Sequence, residues 1–342
     1  MGLVTALRLN MTNAPGATHG ERYAAALDMA AYADARGFTG ISCEEHHLAV
    51  TGWLPSPLVL AAAVIARTTS VAVTVNALLI PLYEPLRLAE DIAVLDNLSR
   101  GRFSFIAGMG YRPEEYAALG KDWSRRGQLM EECIEVLVKA WDTEPFVHNG
   151  QLVDPTPKPH SRPRPFFFVG GMSNAAARRA ARFGLPFAPP MAMPEVEATY
   201  RRECDGRGHR AIVYRPESGS TVTLLSHDPD AAWKSYRGYL ANEADEYHSW
   251  KREGVLRPHD GPADSDAQPR RHGGVEILTP DELIGQIRSG RMEVVMNPLM
   301  GGLPLEVGWA SLRLLGEDVL PAVTKDFTVL TAAPSDTTVK NN

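Results

Sequence analysis

The sequence predicts an α/β fold, specifically a (β/α)8 TIM barrel with insertion segments. Short apolar segments rich in β-branched residues alternate along the chain with segments of helical spacing. The apolar segments are continuous rather than alternating, which is typical of parallel strands covered by helices on both faces. A chain of 342 residues also has a length that such barrels use as a single domain.

Four strand-and-helix units account for the N-terminal half. The predicted strands are LVTALRLNM, FTGISC, VAVTVNALLI and RFSFIAG. The helices that follow them are predicted at about residues 20–36, at SPLVLAAAVIARTT, at PLRLAEDIAVLDNLS and from Pro113 to Trp141. In the third helix Leu88, Ile92 and Leu95 recur at i, i+4 and i+7, so they form one buried stripe.

The C-terminal half keeps this pattern with interruptions. The pair Asn149-Gly150 between short apolar segments predicts a type I′ hairpin outside the barrel. The remaining strands are predicted at RPFFFVGG, around 187–190, at 222–225 and at MEVVMNPLMGG. At the helix that begins with TPDEL, Thr279 and Glu282 have the spacing of a capping box.

We expect one domain over residues 1–330 and a C-terminal tail over 331–342. Within the domain, residues 257–274 consist mainly of Pro, Gly, Asp and Arg and contain almost nothing that could be buried. A loop of this length in a compact domain is typical of an active-site lid or of disorder, so we predict a mobile loop there.

Composition and charge exclude several classes of protein. The apolar content of 44% and charged content of 22% indicate a globular core rather than a disordered chain. A net charge of -6 provides no general basic surface for nucleic acid or an anionic membrane. No signal peptide or spanning segment is visible after Met1, so we expect a cytoplasmic protein. The odd number of cysteines, Cys43, Cys133 and Cys204, without a CxxC pair predicts reduced thiols.

Two carboxylates and two histidines follow the second predicted strand, as Glu44, Glu45, His46 and His47. In a barrel of this class, active sites lie at the C-terminal ends of the strands. These residues are poor joint metal ligands because neighbours in an extended segment point in opposite directions. A solvated polar loop is the alternative, but acid/base catalysis by a histidine is the favoured interpretation.

Glycine-rich turns follow two other predicted strands. Gly170, Gly171 and Ser173 precede a helix, where backbone N–H groups and a hydroxyl could bind a phosphate. A tight strand-to-helix turn explains the same residues equally well. In GMGYRPEEY, Gly108 and Gly110 allow the backbone to approach a flat ligand, although an ordinary loop is also consistent with them.

Six blocks of the chain resemble, in order, the luciferase-like family of flavin-dependent oxidoreductases, the bacterial luciferase superfamily. The blocks are EEHH, IPLYEPLRLAEDIAVLDNLSRGRFSF, GMGYRPEEYAALG, RRGQLMEECIEVLVKAW, VGGMSNAAARRAARFG and PLMGGLP. They extend over most of the chain, and PLRLAEDIAVLDNLSRGRF is the most specific. The resemblance implies a (β/α)8 barrel, usually dimeric, that binds reduced FMN or an 8-hydroxy-5-deazaflavin at its C-terminal face.

The resemblance also implies roles for the EEHH residues. His46 corresponds to the catalytic histidine of the family, and His47 to its neighbour in the same pocket. Glu44 and Glu45 would orient the two histidines, which gives His46, His47 and Glu45 as the expected catalytic group. Residues 257–274 fall near the mobile loop that covers the site in bacterial luciferase.

For the cofactor, the resemblance implies a non-prolyl cis peptide at Asn76-Ala77 behind the flavin ring and a phosphate at Gly171 and Ser173. Bacterial luciferase has an arginine near the phosphate where this chain has Met109. The anion would then depend on Ser173, backbone amides and Arg112. No metal site is expected, and the expected cofactor-binding residues are Asn76, Ala77, Gly108, Met109, Tyr111, Gly170, Gly171 and Ser173.

The function implied by this resemblance is that of a monooxygenase. Such an enzyme uses FMNH2 from a separate flavin reductase and O2 to oxygenate a small, hydrophobic organic substrate. A deazaflavin-dependent oxidoreductase that transfers hydride is the alternative, since GMGYRPEEY is also common in deazaflavin-dependent relatives. A flavin-binding protein without turnover is a third. We expect a homodimer with a transient reductase partner, and neither nucleic acid nor a membrane as partner.

Methionine placement gives an independent prediction about the substrate. Methionine is unbranched and polarizable, so a cluster at the strand ends would form an adaptable apolar pocket. Gap-filling in the core is the alternative. The six methionines that we place at or just past predicted strand ends are Met11, Met109, Met172, Met191, Met193 and Met300.

Overall fold

A computed structural model describes residues 2–215, 221–250, 271–272 and 274–324 of the chain. The predicted tail at 331–342 lies outside the described residues. So does the loop predicted at 257–274, apart from a short strand and Gly274 at its end. Among the described helices, none is long and apolar enough to cross a membrane.

The described strands form one ten-stranded sheet and one separate hairpin. Their bounds are β1 Val4–Leu9, β2 Gly40–Cys43, β3 Ala72–Leu78, β4 Phe103–Ala107, β5 Phe146–His148, β6 Gln151–Val153, β7 Phe166–Gly170, β8 Phe187–Ala188, β9 Val222–Leu225, β10 Arg271–His272, β11 Val275–Leu278 and β12 Glu293–Met296.

Helices α1, α2, α3 and α9 begin close to where the sequence predicts them. Proline occupies the first turn of α2, α3, α4, α7, α8 and α9, where its missing N–H costs nothing. The predicted capping box at Thr279 and Glu282 is present. The helices are α1 Gly20–Ala35, α2 Pro57–Arg67, α3 Pro85–Ser99, α4 Pro113–Ala118, α5 Arg126–Trp141, α6 Asn174–Arg182, α7 Pro194–Asp205, α8 Pro229–Ser249, α9 Pro280–Arg288, α10 Leu305–Arg313 and α11 Leu320–Val323.

The sheet confirms the predicted α/β barrel class. Its strand order is β10-β11-β9-β12-β1-β2-β3-β4-β7-β8, and every pairing is parallel except that of β10 with β11. The eight predicted barrel strands are β1, β2, β3, β4, β7, β8, β9 and β12. The structure adds β11, which pairs with β9. The sequence did not predict β11, because its four residues, VEIL, include the charged Glu276 and are too few to show a period.

Two local predictions have opposite outcomes. The hairpin at Asn149 and Gly150 is confirmed, since both residues have positive φ and join the antiparallel strands β5 and β6. The single long helix predicted from Pro113 to Trp141 is wrong. The chain leaves α4 through Gly120, at φ 68°, and Asp122 then caps a short 3-10 turn before α5 begins.

The two faces of the strands differ in chemistry. Leu7, Ile41, Val73 and Phe103 are paired in register and pack into the main core cluster together with residues of the surrounding helices. The next residue along each strand points to the opposite face of the sheet, and these residues are polar: Arg8, Ser42, Thr74 and Ser104. Apolar packing therefore lies between strands and helices, and polar side chains continue toward the C-terminal strand ends.

Candidate active site

His46 lies in the loop after β2, at the C-terminal edge of the sheet, and is 9% exposed. Its backbone N–H donates to the Leu54 carbonyl at 3.1 Å, which fixes the loop. The ring nitrogens face two different groups. Nδ1 lies 3.4 Å from Oε1 of Glu115, and Nε2 lies 3.4 Å from the hydroxyl of Tyr111. The partners indicate that the proton sits on Nδ1 and that Nε2 is the accepting nitrogen.

Glu115, on α4, is the group that holds this loop, and the sequence analysis missed it. Its Oε1 accepts from the His47 backbone N–H at 3.0 Å and from Nη1 of Arg112 at 3.2 Å. Burial alone would raise the pKa of Glu115. The hydrogen bond from His46, the His47 amide and the Arg112 charge outweigh burial and lower this pKa below its ordinary value of 4.5. Glu115 is therefore a buried carboxylate.

Arg112 has a different place from the one expected. Its Nη1 donates to the His47 carbonyl at 2.6 Å as well as to Glu115, and its guanidinium lies 4.0 Å from the ring centre of Trp250. Because these contacts bury the guanidinium, Arg112 supports the histidine loop. The expectation that it helps to bind an anion with Ser173 remains a prediction.

Glu45 orients His47, as predicted. Its Oε1 lies 3.0 Å from Nε2 of His47 and accepts from the hydroxyl of Tyr83 at 2.8 Å. Its Oε2 accepts from the Leu79 backbone N–H at 2.6 Å, which ties the loop after β2 to the loop after β3. Burial would lower the pKa of His47, but the hydrogen bond and charge of Glu45 outweigh it and raise this pKa.

Glu44 does not orient either histidine, so that part of the prediction is wrong. It forms an ion pair with Arg8 on β1. The reason is the alternation of an extended segment, in which successive side chains point to opposite sides. Glu44 therefore belongs to the polar inner register of the strands, whereas Glu45 faces the loop after β3.

The end of β3 has the backbone geometry that the resemblance implied. The Asn76-Ala77 peptide bond is cis, which confirms that expectation. Asn76 is exposed although its neighbour Val75 is fully buried. The close approach of this peptide requires glycine at position 108, because a β-carbon there would lie 2.7 Å from the β-carbon of Ala77. Flavin binding by Asn76, Ala77 and Gly108 remains a prediction.

The turn after β7 is shaped by packing and open at its tip. A β-carbon at Gly170 would lie 2.8 Å from Cγ2 of Ile106, and one at Gly171 would lie 2.5 Å from the β-carbon of Ala176. Ser173 is exposed, and its hydroxyl accepts from the Ala176 N–H as the cap of α6. The turn therefore has a structural explanation, and phosphate binding remains a prediction.

Helix α8 closes over the loops after β1 and β2 through two buried carboxylates. Glu243 accepts from the amide of Asn10 and from the Thr12 hydroxyl, the latter at 2.8 Å. Glu246 accepts from the Val50 N–H at 2.6 Å and from the Thr51 N–H at 3.2 Å. Burial raises the pKa of Glu243. These contacts bring the last turn of α8 to the histidine loop.

Three aromatic rings lie around His46 and a fourth packs against them, and we call the four the aromatic cluster: Trp53, Tyr111, Tyr247 and Trp250. The ring centres of Trp53, Tyr111 and Trp250 lie 4.9, 5.5 and 4.8 Å from that of His46. Tyr247 lies 5.8 Å from Tyr111 and 6.2 Å from Trp53. Sequence reasoning overlooked the cluster because its members come from three separate parts of the chain.

The methionine prediction is only partly consistent with the structure. Met11 and Met300 are buried in hydrophobic core clusters, so for these two the pocket assignment is wrong and gap-filling explains them. The other four are half-buried: Met109, Met172, Met191 and Met193. The side chains that surround His46 are aromatic rings.

Within the described part of the chain, no group of three His, Cys, Asp or Glu residues could hold a metal ion.

Comparisons with known proteins show the family to which the chain belongs. The family described as luciferase-like monooxygenase matches residues 3–294. The chain belongs to this family. It is 28% identical over 222 residues to an alkanal monooxygenase alpha chain of Photorhabdus luminescens, covering 62% of this chain and 61% of that one. It is 26% identical over 163 residues to an uncharacterised protein of Sinorhizobium fredii, covering 46% of each. The matches therefore span less than two thirds of these relatives.

Solved structures share the fold of this luciferase-like chain over nearly its whole length. Monooxygenase RslO1 from Streptomyces bottropensis has a TM-score of 0.73 at 23% identity and covers 93% of this chain and 99% of its own. The oxygenating constituent of 3,6-diketocamphane monooxygenase from Pseudomonas putida, in complex with FMN, has a TM-score of 0.66 at 18% identity, covering 94% and 99%. An F420-dependent secondary alcohol dehydrogenase in complex with an F420-acetone adduct has 0.63 at 17%, covering 94% and 99%.

Proposed function

We propose that the protein is a flavin-dependent monooxygenase that uses reduced FMN and O2 to oxygenate a small organic substrate. Membership of the luciferase-like family supports the reaction class. The observation that carries the proposal is the meeting of His46, Glu115 and Tyr111 at the same sheet edge as the open end of β3. Reduced FMN would supply the electrons that activate O2.

The residues at this edge fit a flavin. Asn76 is exposed and Ala77, Gly110 and Gly171 are half-exposed, so three strand ends offer small side chains and accessible backbone to a flat ring. The turn before α6 offers Ser173 and the N-terminus of a nine-residue helix to a phosphate. Asn76, Ala77 and Gly108 would contact the ring, Met109 and Tyr111 would border it, and Gly170, Gly171 and Ser173 would bind the phosphate.

His46 is the residue that would handle protons. Glu115 holds its Nδ1 side, so that Nε2 faces the site and can accept a proton or share one with the Tyr111 hydroxyl. Glu45 would keep His47 and the loop after β3 in place through its three hydrogen bonds. The aromatic cluster would exclude water from His46, which strengthens every polar contact there.

A deazaflavin-dependent oxidoreductase is the second candidate function. It is favoured by the F420-dependent dehydrogenase among the structural neighbours, whose TM-score of 0.63 is close to the 0.66 of the FMN complex. In that case the cofactor would exchange hydride with the substrate, and O2 would not take part. The same histidine loop would serve either reaction, because both require proton transfer beside a flat ring.

Thermal unfolding in the presence of each cofactor tests the proposal. Reduced FMN under anaerobic conditions should raise the stability by about 2.7 kcal/mol at 100 times its dissociation constant, and F420 should not. Stabilisation by F420 alone would replace the first candidate by the second. Oxygen uptake in a single turnover with FMNH2 then distinguishes a monooxygenase from a flavin-binding protein without turnover. Stabilisation by neither cofactor contradicts both candidates.

Two partners belong to the same proposal. A separate flavin reductase would deliver FMNH2 by transient contact, and a homodimer would be the active assembly. Light scattering of the purified chain should then give twice 37.4 kDa. A mass of one chain at micromolar concentration would contradict the homodimer and leave the flavin assignment to its own test.

A further inference from the structure

The aromatic cluster is separate from the hydrophobic core clusters of the described residues. Trp53 and Tyr247 are buried, yet among the described residues neither belongs to a hydrophobic core cluster. The cluster lies instead at the C-terminal edge of the sheet, beside His46. Four large rings beside the candidate catalytic histidine therefore point to a role in binding as well as in packing.

One polar atom of the cluster has no partner. Trp53 is 3% exposed, and within the described parts of the chain its indole Nε1–H finds no hydrogen-bond acceptor. Buried indole N–H groups in native proteins are almost always hydrogen-bonded. An unpaired donor beside His46 indicates a ligand atom that accepts a hydrogen bond at this point.

The rings themselves indicate the shape of that ligand. They meet His46 at 80°, 64° and 50° rather than in parallel stacks, so their faces and edges point in several directions. A planar aromatic guest can stack on one ring and meet others edge to face, which adds attraction beyond the area it buries. A saturated chain gains only the burial of area.

The charges near the aromatic cluster limit the class of ligand further. The Arg112 guanidinium lies 4.0 Å from the ring centre of Trp250, so one ring face already holds a cation. That cation is already paired with the buried Glu115 carboxylate, so among the described residues the cluster offers no free charge to a guest. A neutral ring that carries an oxygen is therefore the class that suits the indole donor without adding an unpaired charge.

We infer that the site binds a planar aromatic substrate bearing an acceptor oxygen, such as a phenol or an aryl ketone. Its ring would stack against the outer side of the aromatic cluster, and its oxygen would accept from Nε1–H of Trp53. This assignment rests on the proposed function, because it names the substrate class of the same site. It replaces the general expectation of a hydrophobic substrate with a definite chemistry.

Equilibrium dialysis of the full-length protein with three probes of matched shape tests the inference. The probes are 2-naphthol, naphthalene, which lacks the oxygen, and decahydro-2-naphthol, which lacks the aromatic rings. We expect 2-naphthol to bind at least tenfold more tightly than decahydro-2-naphthol. Equal or tighter binding of decahydro-2-naphthol would overturn the aromatic preference.

A conservative variant isolates the indole donor. Trp53→Phe keeps an aromatic ring and removes the N–H. It should weaken the binding of 2-naphthol about tenfold, or about 1.4 kcal/mol, and the binding of naphthalene less than twofold. Trp309→Phe is the matched control, because Trp309 packs against Tyr32 on the outer helices. An equal loss of both probes in Trp53→Phe would overturn the role of the donor.

FMN and F420 binding, measured on the same samples, separate this inference from the proposed function. Flavin binding without selective binding of 2-naphthol refutes the aromatic assignment alone. Selective binding of 2-naphthol by a protein that binds neither flavin refutes the proposed function and leaves the aromatic site in place. Circular dichroism of Trp53→Phe establishes that each comparison is made on folded protein.

Discussion

The sharpest prediction concerns Glu115→Gln, which keeps the shape of the side chain and removes its charge. The carboxylate accepts at 3.0 Å from the His47 amide and at 3.2 Å from Arg112. A hydrogen bond to a charged group contributes about 1.5–3 kcal/mol and a neutral one about 0.5–1.5 kcal/mol, so these two contacts lose about 2 kcal/mol together. Arg112 is also left as a buried charge without its counter-ion, which raises the expected loss to about 2–4 kcal/mol.

The assay is urea unfolding at pH 7, with Glu114→Gln as the matched control. Glu114 is exposed and adjacent on the first turn of α4, so its substitution removes the same charge from the same helix end. The control should cost no more than about 1 kcal/mol, the usual range for an exposed charge at a helix N-terminus and for an exposed ion pair. Equal losses in the two variants would refute the view that Glu115 holds the histidine loop.

The pH dependence follows from the lowered pKa of Glu115. The unfolded chain takes up this proton first as the pH falls through about 4.5, so the stability contributed by Glu115 is present above 4.5 and is lost as the pH falls through the folded pKa. Glu115→Gln has no such group. The difference in unfolding free energy between wild type and Glu115→Gln should therefore shrink from pH 7 to pH 4. A constant difference would mean that the charge of Glu115 does not contribute.

Three further predictions concern the rest of the site. His46→Ala should lower turnover about 10²–10⁴-fold, while FMN binding and the far-ultraviolet circular dichroism spectrum stay unchanged. Near-normal turnover in folded protein would refute the catalytic role of His46. Ser173→Ala should weaken FMN more than riboflavin, because only FMN carries the phosphate; it should also cost about 1 kcal/mol of stability through the lost cap of α6. Equal weakening of both ligands would mean that the turn is structural. Gly108→Ala should destabilise the protein by about 1–3 kcal/mol, because its new β-carbon would lie 2.7 Å from that of Ala77. Gly20→Ala is the control, because a β-carbon at Gly20 would have no atom from elsewhere in the described chain within 4 Å. Equal stability of the two variants would show that the loop after β3 moves to accommodate the new β-carbon at position 108.

The sequence by itself determined the features that depend on neighbours along the chain. The continuous apolar strands, the prolines at helix starts, the Thr279 capping box and the Asn149-Gly150 hairpin are all local, because backbone preference and side-chain periodicity act over a few residues. The position of His46 just after β2 is local too. A parallel barrel then implies which edge of the sheet carries the site.

Only the tertiary structure decided which groups meet at that edge. Glu115 follows His46 by 69 residues, and Glu243 follows Thr12 by 231 residues, so no short-range pattern reports either contact. Glu44 and Glu45 are adjacent, yet one pairs with Arg8 and the other with His47, because the alternation of the strand sends them to opposite sides. The aromatic cluster exists only because α8 is bound by its carboxylates over the loops after β1 and β2. Such contacts depend on the closure of long loops and on the register between strands, and these are properties of the folded barrel rather than of any segment of the chain.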